Sequence, residues 1–592
     1  MAEKIKKICG SFGVQTYPWY ETEKAAQAAK AHLSMQYRDQ EQLLEHLRHY
    51  MRAEATTLVH RTSPQGNSLI EDWRLFCVKE KAIYATLNLF EGRMNLRASC
   101  WYPAQEEYHI KQVLVQADAN AGAMLVSDRS FSRKLAPTYI RTNELTEIAQ
   151  QLVDTYGFPR YKEANPMLFT VVTFPFLFGI MYGDVGHGAM LLLLGLWIVW
   201  HPEQFQKTAP VVYAFRYMLT MMGAFAVYAG LLYNDFFSIG LFIFDSRWNL
   251  ETPQRADGAP RELEPLKWFD HRNTGAGYGP YPFGLDPAWR VASNELMFVN
   301  SMKMKLSVVV GVAHMTAGLL LRWCNAFYER SSMEFVGECL PMMVFMLCFF
   351  GFMDFMILYK WVTPLENPPS IINSLIAMAL GSEDKAPMFG PDLPGRLMFI
   401  VILTVPWMLF YKPFVLWRRH QQRPRRSFRP AHHHHQHRGE MVGFGSSSLD
   451  EEEKAGLHDI EDEEEEFEFG EVMIHQVIET IEFVLGTVSH TASYLRLWAL
   501  SLAHQQLSMV FFQKTLLVGM EVSFPWNGFA IYIAFAMWLG ITVGILLMMD
   551  VLECFLHTLR LHWVEFQSKF YKADGHKFVP FRHKTLLEEA TA

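Results

Sequence analysis

Apolar and polar positions are distributed unevenly along the 592-residue chain. Residues 1–160 are predominantly polar, whereas much of 166–570 consists of long apolar runs separated by polar loops. The runs cover about 166–200, 211–236, 296–325, 335–361, 395–416, 473–513 and 525–570. A helix needs ~20 mostly apolar residues to cross a bilayer. An eighth run, "PSIINSLIAMAL" at 369–380, is too short to span comfortably and reads as a re-entrant or tilted helix. The pattern predicts an α-helical polytopic membrane protein with about eight membrane helices. The last two are long enough to require tilt or extension beyond the membrane.

The polar N-terminal stretch has its own pattern. Residues 21–56 are rich in Ala, Leu, Glu, Gln and Arg, all good helix formers. After the breaker "SPQGN", a helical pattern resumes over 69–90, which suggests an antiparallel hairpin, a stalk. "NLRASCWYP" reads as a strand and "AQEEYHIKQVLVQA" as a helix, predicting a small α/β lobe beside the hairpin. The start lacks the apolar core of a secretory signal, so this arm is expected in the cytosol. The expected division is an arm over 1–160, membrane helices 1–6 over 161–416, and a charged cytosolic linker over 417–471. Membrane helices 7–8 follow over 472–572, with a cytosolic tail over 573–592.

Composition sharpens this picture at two places. The mean hydropathy of +0.04 averages two unlike halves, and the net charge of −8 is concentrated in the linker. Residues 417–438 hold seven arginines and a histidine tract, and 450–471 hold thirteen acidic residues and one lysine. Such segregated blocks are expected to be disordered and solvated, and the arginines mark the adjoining helix end as cytosolic. The His tract reads as solvated linker in preference to a metal site. Seven dispersed cysteines without a Cys-x-x-Cys pair read as reduced, buried thiols. No basic domain points to nucleic acid.

Ordinary catalysis finds no support. The chain contains no G-x-x-x-x-G-K-[ST] phosphate loop and no H-E-x-x-H, and "GFGSS" at 443–447 departs from G-x-S-x-G at its third and last residues. The ionisable residues inside the apolar runs are more informative. Arg496 sits mid-run in "SHTASYLRLWALSLAHQQLS", where insertion costs at least ~2.5–3.5 kcal/mol. Glu482 lies 14 positions earlier, close to four helical turns, and His490 and His504 flank Arg496 on the same run. On the last run, Asp550, Glu553, His557 and Arg560 fall at i, i+3, i+7 and i+10, a stripe facing the interior or a wet cavity. These groups suit a proton path, against the blander reading of ion pairs joining two helices. In "FPFLFGIMYGDVGHG", Asp184 and His187 at i, i+3 among glycines read first as packing and kinking, with proton handling as the alternative. Lys303, Lys305, Trp563 and Lys569 read as interface anchors, and Pro406 as a kink.

Taken together, "SHTASYLRLWALSLAHQQLS" and "HTLRLHWVEFQSKF" resemble the a subunit of the vacuolar-type proton-translocating ATPase, the 116 kDa subunit family of its V0 membrane sector. Further blocks agree in order, among them "NPMLFTVVTFPFLFGIMYGDVGHG", "NSMKMKLSVVVGVAHM", "NPPSIINSLIAMAL", "VPWMLFYKPF" and "VMIHQVIETIEF". The resemblance covers roughly 90–570, and the arm of 165 residues is shorter than the family's.

The resemblance implies a non-catalytic stator subunit of a proton-translocating ATPase, pumping from cytosol to lumen. Arg496 would be the gate between two half-channels facing the proteolipid ring, and Arg560 the second important arginine. Glu482, His490, His504 and Asp550 match half-channel positions, with Asp550 replacing a commoner Glu. Glu553 and His557 complete the candidate proton-translocation set. No cofactor or bound metal is implied. The implied partners are the proteolipid c-ring, other V0 subunits, V1 peripheral stalk subunits at the arm, the ATP-hydrolysing V1 head indirectly, and membrane lipid. The implied location is an endomembrane such as vacuole, lysosome or endosome. The rival readings are a non-pumping scaffold and a self-contained proton channel or secondary transporter. The latter usually shows inverted repeats, which the sequence does not display.

Overall fold

The computed structural model describes residues 2–13, 17, 19–60, 66–92, 96–117, 124–127, 136–246, 281–363, 365, 369–381, 389–390, 392–422, 469–521 and 526–591. The charged linker beyond residue 422, with its His tract and acidic block, lies outside the described residues. By contacts the chain divides into two compact units, 1–124 with 579–592, and 125–578. The described residues of 136–160 fall in the second unit.

In the first unit, α1 (Glu23–Val59) and α2 (Leu69–Leu87) form the expected pair of helices around a short connection. Neither buries a residue within this chain. The expected lobe is helical: α3 (Glu107–Ala117) forms, preceded by one turn of 3-10 helix. The strand expected over 95–103 is a correction. Its only described pairing is a single antiparallel bridge, Arg97 with Glu91, and a lone bridge cannot sustain a sheet.

In the second unit α4 (Thr146–Tyr156) precedes the apolar runs, and each of the eight runs is helical over most of its described residues. They form α5 (Met167–Tyr182), α6 (Val185–Trp200), α7 (Arg216–Tyr233), α8 (Glu295–Glu329), α9 (Ser332–Val362), α10 (Ile371–Leu380), α11 (Asp392–Gln422), α12 (Phe469–Ser493), α13 (Leu495–Phe511) and α14 (Gly528–Lys569). Among the described residues, five helices are long and apolar enough to cross a membrane, or six with the bent pair Val185–Trp200 and Pro202–Thr208. The first run breaks in two because Asp184 caps α6 instead of continuing α5. The helix α11 continues through Pro406 and Pro413, so the kink expected at Pro406 does not end it.

The core is one apolar cluster that includes Phe174, Phe178, Met181, Tyr182, Met315, Met346, Met408, Tyr494 and Leu561. It draws on α5, α8, α9, α11 and the last helices, so the segments the sequence separates pack as one body. Cys339 and Cys554 are buried as expected, but Cys324 is exposed. Glycines let α7 approach α5 and α6 closely, as the sequence suggested. A Cβ on Gly230 would lie 2.3 Å from the backbone nitrogen of Val185 and 2.5 Å from the carbonyl carbon of Asp184. We expect Gly230→Ala to force these backbones apart and to cost about 1–3 kcal/mol of stability. Gly540→Ala, in open space on α14, should be neutral or slightly stabilising. Thermal unfolding of the two purified variants checks the contrast; equal midpoints would remove the packing argument.

The end of α14 is stitched back to the segment before α5. Strand β1 (Pro137–Thr138) pairs in parallel with β2 (His576–Lys577). The Tyr571 hydroxyl donates to the Gly157 carbonyl at 2.7 Å, and Lys572 N–H donates to Glu163 at 2.9 Å. Arg160 pairs with Asp574; the hydrogen bond from Arg160 holds the Asp574 carboxyl below its usual range. Burial pushes Glu163 the other way, upward, although two backbone N–H groups oppose it. This seam fixes the axial position of the helix that carries Asp550 to Arg560.

Candidate functional site

The helical run from Phe469 to Met520 is interrupted at Tyr494, two residues before Arg496. Tyr494 is fully buried, and its hydroxyl pairs with His314 Nδ1 on α8 at 2.7 Å. Its ring occupies a slot that exists because residue 311 is glycine; a Cβ there would lie 2.5 Å from the ring. His314 stacks on Phe566 of α14, with ring centroids 4.2 Å apart. The backbone leading into Arg496 is thereby held between α8 and α14.

Arg496 is half-buried, and its Nη1 donates to His557 Nδ1 on α14 at 3.4 Å. Arginine has no acceptor, so this Nδ1 must be unprotonated and the neutral ring carries its proton on Nε2. That Nε2 lies 3.7 Å from Glu553, one turn away on α14. Arg560 and Glu553 are exposed on this chain, and so is Glu482. Arg496 and Arg560 lie within electrostatic reach of each other and of the buried Glu565.

The stripe on α14, expected to face the interior or a wet cavity, is split in its burial. Asp550, Cys554 and Thr558 form the buried face at i, i+4 and i+8. Glu553 and Arg560 lie on the uncovered flank, with His557 half-buried between. The division follows from helix geometry: at about 100° per residue, i+3 and i+10 fall roughly 100–120° round from a face centred on i+4. Glu482 and Arg496, expected on one face, are not brought together by any described contact. His490 is half-buried beside Gly486, and its Nδ1 has no partner among the described residues.

Asp550 and His504 form a buried pair joining α13 and α14, His504 Nδ1 to Asp550 Oδ2. Behind it lies the motif at the break between α5 and α6. Asp184 Oδ1 accepts N–H groups of Gly186 at 2.6 Å, His187 at 3.3 Å and Phe237 at 3.3 Å. Asp184 Oδ2 takes the Nδ1 of His187 at 2.9 Å. The His187 and His504 rings are 5.1 Å apart edge to face, and Tyr182 lies 4.5 Å from His504. With each Nδ1 committed to a carboxylate, both imidazoles present Nε2 as an acceptor, and both are buried without a partner among the described residues. Asp184, His187 and His504 offer ligand atoms within 4.8 Å of one another. The Asp184 carboxylate, however, is already occupied by N–H donors, leaving two nitrogens, which suits a shared proton better than a metal cage.

Two anchors expected at the interface are buried instead. Lys303 is 3% exposed and donates to Gln505 Oε1 at 2.8 Å, with its ammonium 4.4 Å from the Tyr233 ring centre. Lys569 is 7% exposed, 3.5 Å from Thr487. The sequence reading missed an ion network centred on the buried Glu338 as well. Arg322 on α8, Glu338 on α9, Lys412 on α11 and Glu479 on α12 join four helices with balanced charge. Each lies in an apolar run, which was the available signal.

The chain is similar to known proteins along nearly its whole length. The chain is 36% identical over 613 residues to the vacuolar proton translocating ATPase 100 kDa subunit of Dictyostelium discoideum, covering 100% of this chain and 70% of that protein. It is 36% identical over 619 residues to the V-type proton ATPase 116 kDa subunit a1 of Xenopus laevis, covering 99% and 72%. The same identity, over 622 residues and 99% and 72% of the two chains, holds for the V-type proton ATPase 116 kDa subunit a 4 of Homo sapiens. The family profile described as the V-type ATPase 116 kDa subunit family matches residues 1–583. A polytopic helical chain with this pattern of intramembrane charge, matched along nearly its whole length, therefore belongs to the V-type ATPase 116 kDa subunit family.

Proposed function

We propose that this chain is the stator of the membrane sector of a rotary proton pump, with Arg496 as the gate between two proton half-channels. The carrying observation is the uncovered face of α14. Only 17% of the apolar window of α14 is buried within the chain, against 44% for α8 and α9. Exposed Met548, Met549, Leu552 and Leu556 surround the exposed Glu553 and Arg560, with Arg496 half-buried behind. A guanidinium facing hydrocarbon is costly. This face therefore fits a partner that brings an apolar surface with a carboxylate at membrane depth, as a proteolipid ring does. The passing carboxylate pairs with Arg496, which favours its ionised form and expels its proton. The permanent charge of arginine blocks a direct leak between the channels.

The buried chain Asp550–His504–His187–Asp184 supplies titratable groups for one half-channel, and Glu482 with His490 for the other. Lacking a phosphate loop, the subunit takes its torque from ATP hydrolysed on the V1 head. Peripheral stalk subunits would hold the arm, and the complex would acidify an endomembrane lumen with the arm in the cytosol.

The test is Asp550→Asn in the assembled complex, scored for subunit assembly, ATP hydrolysis and ATP-driven acidification. Asparagine keeps the hydrogen bond to His504 but cannot carry a proton. Acidification should fall roughly tenfold or more with assembly retained, since a positioned acid–base group contributes ~10²–10⁴-fold. Asp550→Glu should keep most of it. Unchanged pumping by Asp550→Asn would exclude this pair from the path.

A further inference from the structure

The cytosolic end of α11 carries a site that the pumping mechanism does not use. A cavity of about 680 Å³ opens between α11 and the start of α12. Its α11 wall is formed by Trp407, Phe410, Phe414 and Trp417 with the two prolines, and Phe469 and Met473 close it from α12. Positions 406, 407, 410, 413, 414 and 417 share one helical face, so the cavity follows the helix for three turns. The lining is apolar and aromatic, and the volume is that of a ligand site rather than a packing defect.

The same helix turns basic where the cavity ends. Arg418 directly follows Trp417 and continues the edge of the lining face; Arg418 and Arg419 are exposed. The chain holds seven arginines across 418–438, and arginines after an apolar helix mark the cytosolic side. Anionic lipids are concentrated in that leaflet, and a run of arginines immediately beyond a membrane helix is what recruits them. Guanidinium binds phosphate and carboxylate through paired N–H groups.

We infer that this cavity is a binding site for an anionic phospholipid, its acyl chain lying along Phe410, Phe414 and Trp417 and its headgroup held by Arg418 at the edge of that face. Neutral lipid fills an apolar groove on any membrane protein; headgroup selection by Arg418 is what makes this a specific site, whereas Arg419 falls on the far side of the helix. The lipid would hold α11 and α12 apart at the cytosolic end of the helix that leads to Arg496.

The intact complex in nanodiscs, supplied with phosphatidylserine or phosphatidylcholine bearing the same photoreactive acyl chain, tests this. Cross-linked peptides are mapped by mass spectrometry. Labelling of 406–417 and 469–473 by phosphatidylserine should exceed that by phosphatidylcholine severalfold. Arg418→Gln should bring the two lipids level while the phosphatidylcholine signal stays, and Arg419→Gln, on the far side of the helix, should leave the preference in place. Phe410→Trp, which fills the cavity without touching the arginines, should lower labelling by both. Equal labelling of the wild-type complex by the two lipids would overturn headgroup selection. Label absent from these peptides would overturn the site, as would label that appears only when residues 423–468 are deleted, because the chain itself would then cover the cavity.

Discussion

Arg496→Lys is expected to leave the complex assembled and to abolish ATP-driven proton transport. The backbone that presents Arg496 is fixed by Tyr494, which is locked to His314 and seated in the slot left by Gly311. Arg496 itself is half-buried and makes one described bond, to His557. Replacing it with another cation therefore does little to the fold. It does remove the planar fork, which can bond His557 with one nitrogen while presenting others to a passing carboxylate. Lysine concentrates its charge at one point, and a desolvated ammonium can lose its proton, which guanidinium does not. Both changes let the partner carboxylate keep its proton at the stator. Transport should drop at least tenfold, about 1.4 kcal/mol or more in the rate-limiting barrier. The check is acidification by purified membranes, normalised to assembled complex. Normal pumping by the lysine variant would reduce Arg496 to a contact between α13 and α14.

Glu338→Gln is expected to have the largest effect on stability. Glu338 is 4% exposed and accepts from both Arg322 and Lys412. Glu479 lies 3.2 Å from Arg322 and 3.7 Å from Lys412. With Glu338 neutral, two cations from different helices share one remaining carboxylate. Breaking a fully buried pair costs about 3–5 kcal/mol; Arg322 and Lys412 are half-buried, which puts the loss here toward the lower end of that range. Thermal unfolding of the purified complex and its steady-state level in membranes should both fall sharply. Glu338→Gln combined with Lys412→Gln restores one-to-one charge and should recover much of the loss. A single variant as stable as wild type would mean that the four groups are solvated enough to tolerate imbalance. Unlike Arg496→Lys, this change should reduce the amount of complex and leave the proton transport of each surviving complex nearly intact.

Much of the candidate site was legible in the sequence, residue by residue. His504 and Asp550, 46 positions apart, form a buried pair, and Arg496 meets His557 across α13 and α14. What the linear pattern could not give was the facing of each group. Asp184 and His187 looked like two residues on one helix, but Asp184 ends the helical run and spends its carboxylate on three backbone N–H groups and an imidazole. Lys303 and Lys569 looked like anchors because they are cations near the ends of apolar runs. Partners from distant helices, Gln505 and Thr487, let them be buried. The ion network of Arg322, Glu338, Lys412 and Glu479 escaped notice because its members come from four different runs, and no spacing along the chain pairs them.

The sequence by itself determined that the chain is a helical membrane protein, where its apolar segments lie and which ionisable residues stand among them. Hydrophobic length is a local property, and a charge within twenty apolar residues is visible without any fold. Only the tertiary structure decided which of those charges are shared between helices and which are left on the open face of α14. That choice depends on the angle at which one helix meets the next, and here it is set by contacts no single segment contains. Gly230 lies against Val185, the Tyr494 ring against Gly311, and β2 beside β1. Packing between distant segments fixes those angles, so the facing of Glu553, Arg560 and Asp550 could be read only after the helices had met.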